Sequence, residues 1–168
     1  MSKTSPDKKI SSGILLAARA AFKEAYAGVS LSHGGPFGAV VTRSGVIIGR
    51  GHNTVLKEED PTCHAEINAI RKASRYLKSH SLKGCALVTT AEPCPMCLAA
   101  AYWAGIRNVY YMAGGSAISA IGFSDEKIYS ELKKSAKKRS VRCVRVCGLE
   151  RETKDLIFRW KQKKGKIY

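Results

Sequence analysis

His64-Ala65-Glu66 and, about thirty residues downstream, Pro93-Cys94-Pro95-Met96-Cys97 fix where this chain must fold back on itself. One imidazole and two sulfurs are three metal ligands, and they act together only if the fold brings both segments to one point. A C-x-x-C pair alone fits redox chemistry, a structural knuckle or chance, whereas the preceding proline and the upstream His-x-Glu point to a metal centre. Structural zinc is usually closed by four protein ligands, while catalytic zinc keeps three and leaves the fourth corner to water. The pattern therefore predicts Zn2+ on His64, Cys94 and Cys97, with Glu66 as an unligated carboxylate beside it.

Size sets the next bound. The chain has 168 residues, a one-domain length that can bury a core without a metal as structural support. The metal is then available for chemistry. Of the six cysteines, Cys63, Cys85, Cys143 and Cys147 remain after the metal pair and read as small buried hydrophobes in a reducing compartment. Residues Met1 to Lys9 are polar and charged rather than leader-like, so the expected location is cytoplasmic. No apolar run approaches the roughly 20 residues that span a bilayer, so no membrane partner is expected. The formal charge is +16. It is concentrated between Lys127 and Tyr168, which hold about 15 basic and 4 acidic residues. A solvated basic surface and a polyanion footprint both account for it.

Periodicity supplies the elements. Ile10, Ile14, Leu15, Ala18, Ala21, Phe22 and Ala25 recur at helical spacing behind Ser11 or Ser12, predicting a helix that ends near Gly28. Phe37 to Thr42 and Val46 to Gly49, joined by Arg43-Ser44-Gly45, read as a hairpin. A polar connection over Gly51 to Thr62 leads to a second helix carrying Ile67, Ile70 and Leu77. A strand from Ala86 to Thr90, a helix with Met96, Leu98, Ala101 and Trp103, and a strand from Asn108 to Met112 follow. Past Gly114-Gly115 come a short apolar segment around Ile118 to Phe123 and a charged helix from Asp125 to Lys138. A strand from Val141 to Val146 and a last helix from Glu150 complete the chain. This order predicts an α/β fold with a mixed sheet and helices on its faces. Both metal segments open helices, where the N-terminal field favours thiolate at Cys94.

Other readings of these residues stay open. Glu66 can complement a helix dipole, His64 can be a buried structural histidine, and Cys63 or His52 can close the site as a fourth ligand. In the catalytic reading zinc brings the pKa of water to about 7, and Glu66 moves protons to a ring nitrogen and a departing amino group. His-x-Glu with Pro-Cys-x-x-Cys is an established signature of zinc-dependent base deaminases.

With these motifs the sequence resembles the cytidine deaminase superfamily, and more narrowly its bacterial-type guanine deaminases. The resemblance runs through Gly35-Pro36-Phe37-Gly38-Ala39-Val40, Gly51-His52-Asn53, the segment from Asp60 to Glu66, and Glu92 to Leu98. Tyr102-Trp103-Ala104, Gly122-Phe123-Ser124-Asp125 with Ile128-Tyr129, and Trp160 with the terminal Tyr168 resemble the guanine deaminase pattern. The resemblance implies a three-layer fold, a five-stranded mixed sheet, and a homodimer that exchanges its C-terminal segment. In that arrangement residues of about 148–168 form a lid over the active site of a single 1–168 domain. It also implies that Asn53 hydrogen-bonds a small purine base, Phe37 and Trp103 pack on its ring, Asp125 contacts the base or its amino group, and Tyr168 belongs to the lid.

Each of these has a plainer use. Phe37 and Trp103 can be core, Asn53 a turn residue, Asp125 a helix cap, and Tyr168 a frayed end. Ser124, where a second acid is usual, and Ala91, where a cysteine is common, depart from the pattern. The implied reaction is hydrolysis of guanine to xanthine and ammonia. The alternatives are tRNA adenosine deamination, guanosine or cytosine deamination, and a zinc protein without activity that binds RNA through its basic tail.

Overall fold

A computed structural model describes residues 10–163, 165 and 167, in two compact units, Met1–Asp125 and Glu126–Tyr168. In the first unit, α1 (Ser12–Ser30) starts where Ser11 Oγ accepts the Ile14 N–H at 3.4 Å. The helix runs past Gly28 because that glycine serves packing rather than termination. A Cβ there would lie 2.9 Å from the His52 ring.

β1 (Gly38–Arg43) and β2 (Val46–His52) form the expected hairpin. Its two-residue turn has positive φ at both Ser44 (50°) and Gly45 (81°), the geometry that matches strand twist. After the short α2 (Val55–Glu58) come α3 (Ala65–Leu77), β3 (Cys85–Ala91), α4 (Pro95–Trp103), β4 (Asn108–Ala113) and the short α5 (Gly115–Ser119). The strand order is β2-β1-β3-β4, with β1 antiparallel to both neighbours and β3 parallel to β4. A parallel pair needs a crossover, and α4 supplies it.

Strand alternation splits the core in two. Ala39, Val41 and Leu87 pack with α3 and α4, while Val40 and Val88 pack with α1. The result is a helix–sheet–helix sandwich. The second helical layer comes very close to the strands. On β2, a Cβ at Gly51 would lie 2.6 Å from the Ala65 carbonyl oxygen, and one at Gly49 would meet the Ala69 carbonyl. Glycine on β2 and alanine at 65, 69 and 73 of α3 let the backbones approach, and α3 carries the first metal segment at its start.

The second unit holds α6 (Glu126–Lys133), a 3-10 turn at Ala136–Lys138 and α7 (Glu150–Gln162). Its contents correct two expectations. Among the described residues the sheet has four strands rather than five, because Val141 to Val146 is not a strand. Val141-Arg142-Cys143-Val144-Arg145-Val146 puts one arginine on each face of any strand it could form, so neither face is apolar. Cys143 and Cys147 lie in this irregular region and are exposed, whereas Cys63 and Cys85 are buried as expected. No helix among the described residues is long and apolar enough to cross a membrane.

Candidate active site

The two metal segments meet at the helix ends that follow the loop before α3 and the end of β3. His64 occupies the N-cap of α3 in extended conformation (φ −67°, ψ 156°). Its place is set by the preceding turn, in which Asp60 Oδ1 accepts both the Thr62 N–H and the Thr62 hydroxyl at 2.7 Å. Those two bonds, with one from the Cys63 thiol, hold the Asp60 carboxyl below its ordinary range. Cys94 is the N-cap of α4, followed by Pro95 in the first turn. Its sulfur accepts the Cys97 N–H at 3.5 Å.

His64 Nδ1 lies 3.6 Å from Cys94 Sγ and 3.5 Å from Cys97 Sγ, and the three atoms fall within 4.8 Å of one another. Tetrahedral bonds of zinc length to nitrogen and sulfur place those ligand atoms about 3.6 Å apart. The donor set thus fits a metal ion in both chemistry and spacing. Its protonation agrees: the Cys97 thiol hydrogen bond, aided by His64 and the Cys97 N–H, pulls Cys94 down to about 4 against burial. Cys97 is pushed up by the same contact and by burial, and His64 is raised by its bond to Cys94. The two sulfurs share one proton, which a metal ion would displace.

Glu66 stands beside this group without joining it. It lies in the first turn of α3 but is buried, so it is not a solvated residue answering the helix dipole. Thr89 Oγ1 donates to Oε1 at 3.2 Å, and the Cys97 thiol reaches Oε2 at 3.5 Å. Burial raises its pKa, and the Cys94 charge adds to that while His64 opposes it. A carboxyl whose pKa is raised suits proton transfer in both directions.

His64, Glu66 and Cys94 open into a cavity of about 310 Å³, whose wall also includes Phe37, Asn53, Phe123 and Asp125. Phe37 and Phe123 meet edge to face, with centroids 5.0 Å apart. Asn53 is buried. Its Oδ1 accepts the Gly35 and Val55 N–H groups at 3.3 and 3.2 Å, and its own N–H donates to the Phe37 carbonyl at 3.0 Å. With the amide oxygen committed, the side chain offers its Nδ2 donors to a ligand. Asp125 is raised by burial and by the Cys94 charge, with His64 opposing.

Residues 13–113 match the family described as the cytidine and deoxycytidylate deaminase zinc-binding region. The chain belongs to this deaminase family. Guanine deaminase of Bacillus subtilis is 47% identical over 114 residues, covering 68% of this chain and 73% of that one. A solved guanine deaminase structure from that organism superposes with a TM-score of 0.80 at 41% identity, covering 86% and 92% of the two chains. A solved structure in complex with 2,6-diaminopurine reaches a TM-score of 0.65 at 32% identity, covering 71% and 67%. The tRNA-specific adenosine deaminase of Aquifex aeolicus is 40% identical over 95 residues, or 54% of this chain and 63% of that protein.

Within this deaminase, the structure brings together seven of the nine residues singled out from sequence; Trp103 ends α4, is 74% exposed and is absent from the cavity wall. Tyr168 lies outside the described residues. Phe37, Asn53, His64, Glu66, Cys94, Cys97 and Asp125 share one site. Neither candidate fourth ligand joins the metal group. His52 pairs with His33, Nε2 to Nδ1 at 2.9 Å, and Cys63 bonds Asp60 at 3.3 Å. Sequence reasoning missed Thr89, whose only signal was a Thr89-Thr90 pair ending an apolar strand, and Gly34, where a Cβ would collide with the Asn53 amide oxygen.

Proposed function

We propose that this deaminase holds zinc on His64, Cys94 and Cys97 and hydrolyses guanine to xanthine and ammonia. The observation that carries the reading is the convergence, in one 310 Å³ cavity, of the three-ligand group, the buried Glu66, the Asn53 amide and the Phe37–Phe123 pair. The guanine deaminase relatives supply the choice of base. Zinc bound there supplies a water acidified to about neutral pH. Glu66 would accept one proton of the attacking water and deliver it to a ring nitrogen of the base. It would then take the second proton from the hydroxyl added at the ring carbon and pass it to the amino group, which leaves as ammonia as the carbonyl forms. Thr89 holds one carboxylate oxygen so that the other faces the reacting atoms. Asn53 donates to an acceptor on the purine edge, Asp125 accepts from an N–H of the base, and Phe37 with Phe123 packs against the ring.

The deciding experiment incubates the zinc-loaded protein with guanine, guanosine, cytosine, adenine, adenosine and a tRNA anticodon stem-loop while following ammonia. Release from guanine well above the other arms is expected, and silence on guanine removes the proposal. A second reading, tRNA adenosine deamination, is favoured by the basic C-terminal unit and the Aquifex aeolicus relative. It requires inosine in the stem-loop arm.

The resemblance to guanine deaminases further supports a cytoplasmic homodimer in which residues of about 148–168, including Tyr168, close over the partner's cavity. Two variants, Glu66→Gln and Tyr168→Ala, test this by mixing. In an exchanged heterodimer one cavity has an intact Glu66 and receives an intact Tyr168, so activity above either parent is expected. Mixtures no more active than the average of the parents contradict the exchange.

A further inference from the structure

A second cavity, of about 350 Å³, lies on the other side of the segment that follows β2. That segment alternates between the two: Asn53, Val55 and Leu56 face the catalytic cavity, while His52, Thr54 and Lys57 face the second one. Its wall is strongly basic. Arg71, Lys72 and Arg75 project from α3, Lys57 comes from α2, and Glu58 is the single acid.

Lys57 and Glu58 answer one another, Nζ to Oε1 at 3.4 Å. The three α3 cations stand in no ion pair among the described residues, although Arg71 Nη1 donates to Cys63 Sγ at 3.7 Å and its charge helps lower the Asp60 carboxyl. Positions 71 and 75 are four apart and 72 and 75 three apart, so like charges adjoin on one helix face, an arrangement that is destabilising unless something neutral or negative intervenes. The only acid on α3 is Glu66, buried at the other cavity. His33 at the rim is lowered by burial first and then by Lys57 and His52, with Glu58 opposing.

We propose that this basic cavity binds a small phosphate-bearing anion. Two guanidinium groups and a lysine match a phosphate better than a monatomic chloride, because paired N–H donors can each meet a separate phosphate oxygen. A hollow of this size holds a phosphate together with part of an attached sugar, and the Glu58 carboxylate is the acceptor a sugar hydroxyl would use. The site needs no residue of the catalytic group.

Calorimetric titration of the full-chain protein at constant ionic strength, with inorganic phosphate and with ribose 5-phosphate, tests it. Saturable one-to-one binding is expected, weakened at least tenfold in a Lys72→Gln/Arg75→Gln double variant that melts like the parent. A Lys137→Gln/Lys138→Gln control in the C-terminal unit should bind as the parent does. Equal affinity for both ligands means the phosphate group alone is read, and tighter binding of ribose 5-phosphate brings in Glu58. No saturable binding, loss in the control with retention in the α3 variant, or binding of an RNA oligomer alone would overturn the proposal. Should the α3 variant melt lower, Arg75→Gln alone replaces it under the same criteria.

Discussion

In the proposed mechanism Glu66 carries a negative charge at a buried position that water hardly reaches. Replacing it by glutamine keeps its size and its bond from Thr89 but removes the proton acceptor. The Glu66→Gln protein should retain its metal and lose about 10²- to 10⁴-fold in kcat, read by steady-state ammonia release. The pH dependence follows from the direction of its shift. Because burial raises the pKa, the ionised form that accepts a proton is lost at higher pH than for an exposed carboxylate. The acid limb of kcat/KM should therefore fall above the ordinary carboxylate range, and a flat profile down to pH 4.5 would contradict this role. The grouping of His64, Cys94 and Cys97, with Glu66 beside them, was legible because the two motifs carry those side chains at fixed spacings within each segment. Thr89 was not, because its role depends on strand register: pairing with Ala39 places it beside α3, and no local pattern encodes that.

Elements in this fold are positioned by absence as much as by presence of side chains. A methyl at Gly51 would press on the Ala65 carbonyl, a backbone atom that cannot rotate aside. Gly51→Ala should therefore push the start of α3 off β2, lowering stability by about 1–3 kcal/mol. It should also weaken metal binding, because His64 moves with the helix. Denaturant unfolding and zinc titration of the variant check both, and a variant as stable as the parent with unchanged zinc affinity would show that the contact does not set the helix. The hairpin, α3, β3, α4 and β4 were legible because each has a period, a turn or a cap of its own. The fifth strand was not legible because the valines of 141–146 signal a strand while Arg142 and Arg145 fall one on each of its faces. The role of Gly28, near the end of α1, was not legible because the surface it packs against, His52, lies far along the chain.

For the molecule as a whole, composition conveyed size and charge but not distribution in space. The +16 charge resolves into a C-terminal unit rich in Lys and Arg and, separately, a basic hollow beside α3 that composition did not reveal. The hollow shares no lining residue with the cavity where the deaminase residues converge. The proposed function depends on one ion joining the N-termini of α3 and α4, whose ligands lie thirty residues apart in sequence. The X-ray absorption spectrum at the zinc edge of the purified protein tests this most directly. The expected result is one zinc per chain with two sulfurs near 2.3 Å and two lighter atoms near 2.0–2.1 Å, one of them from solvent. A zinc enclosed by four protein ligands, or a chain that takes up no zinc, would contradict it.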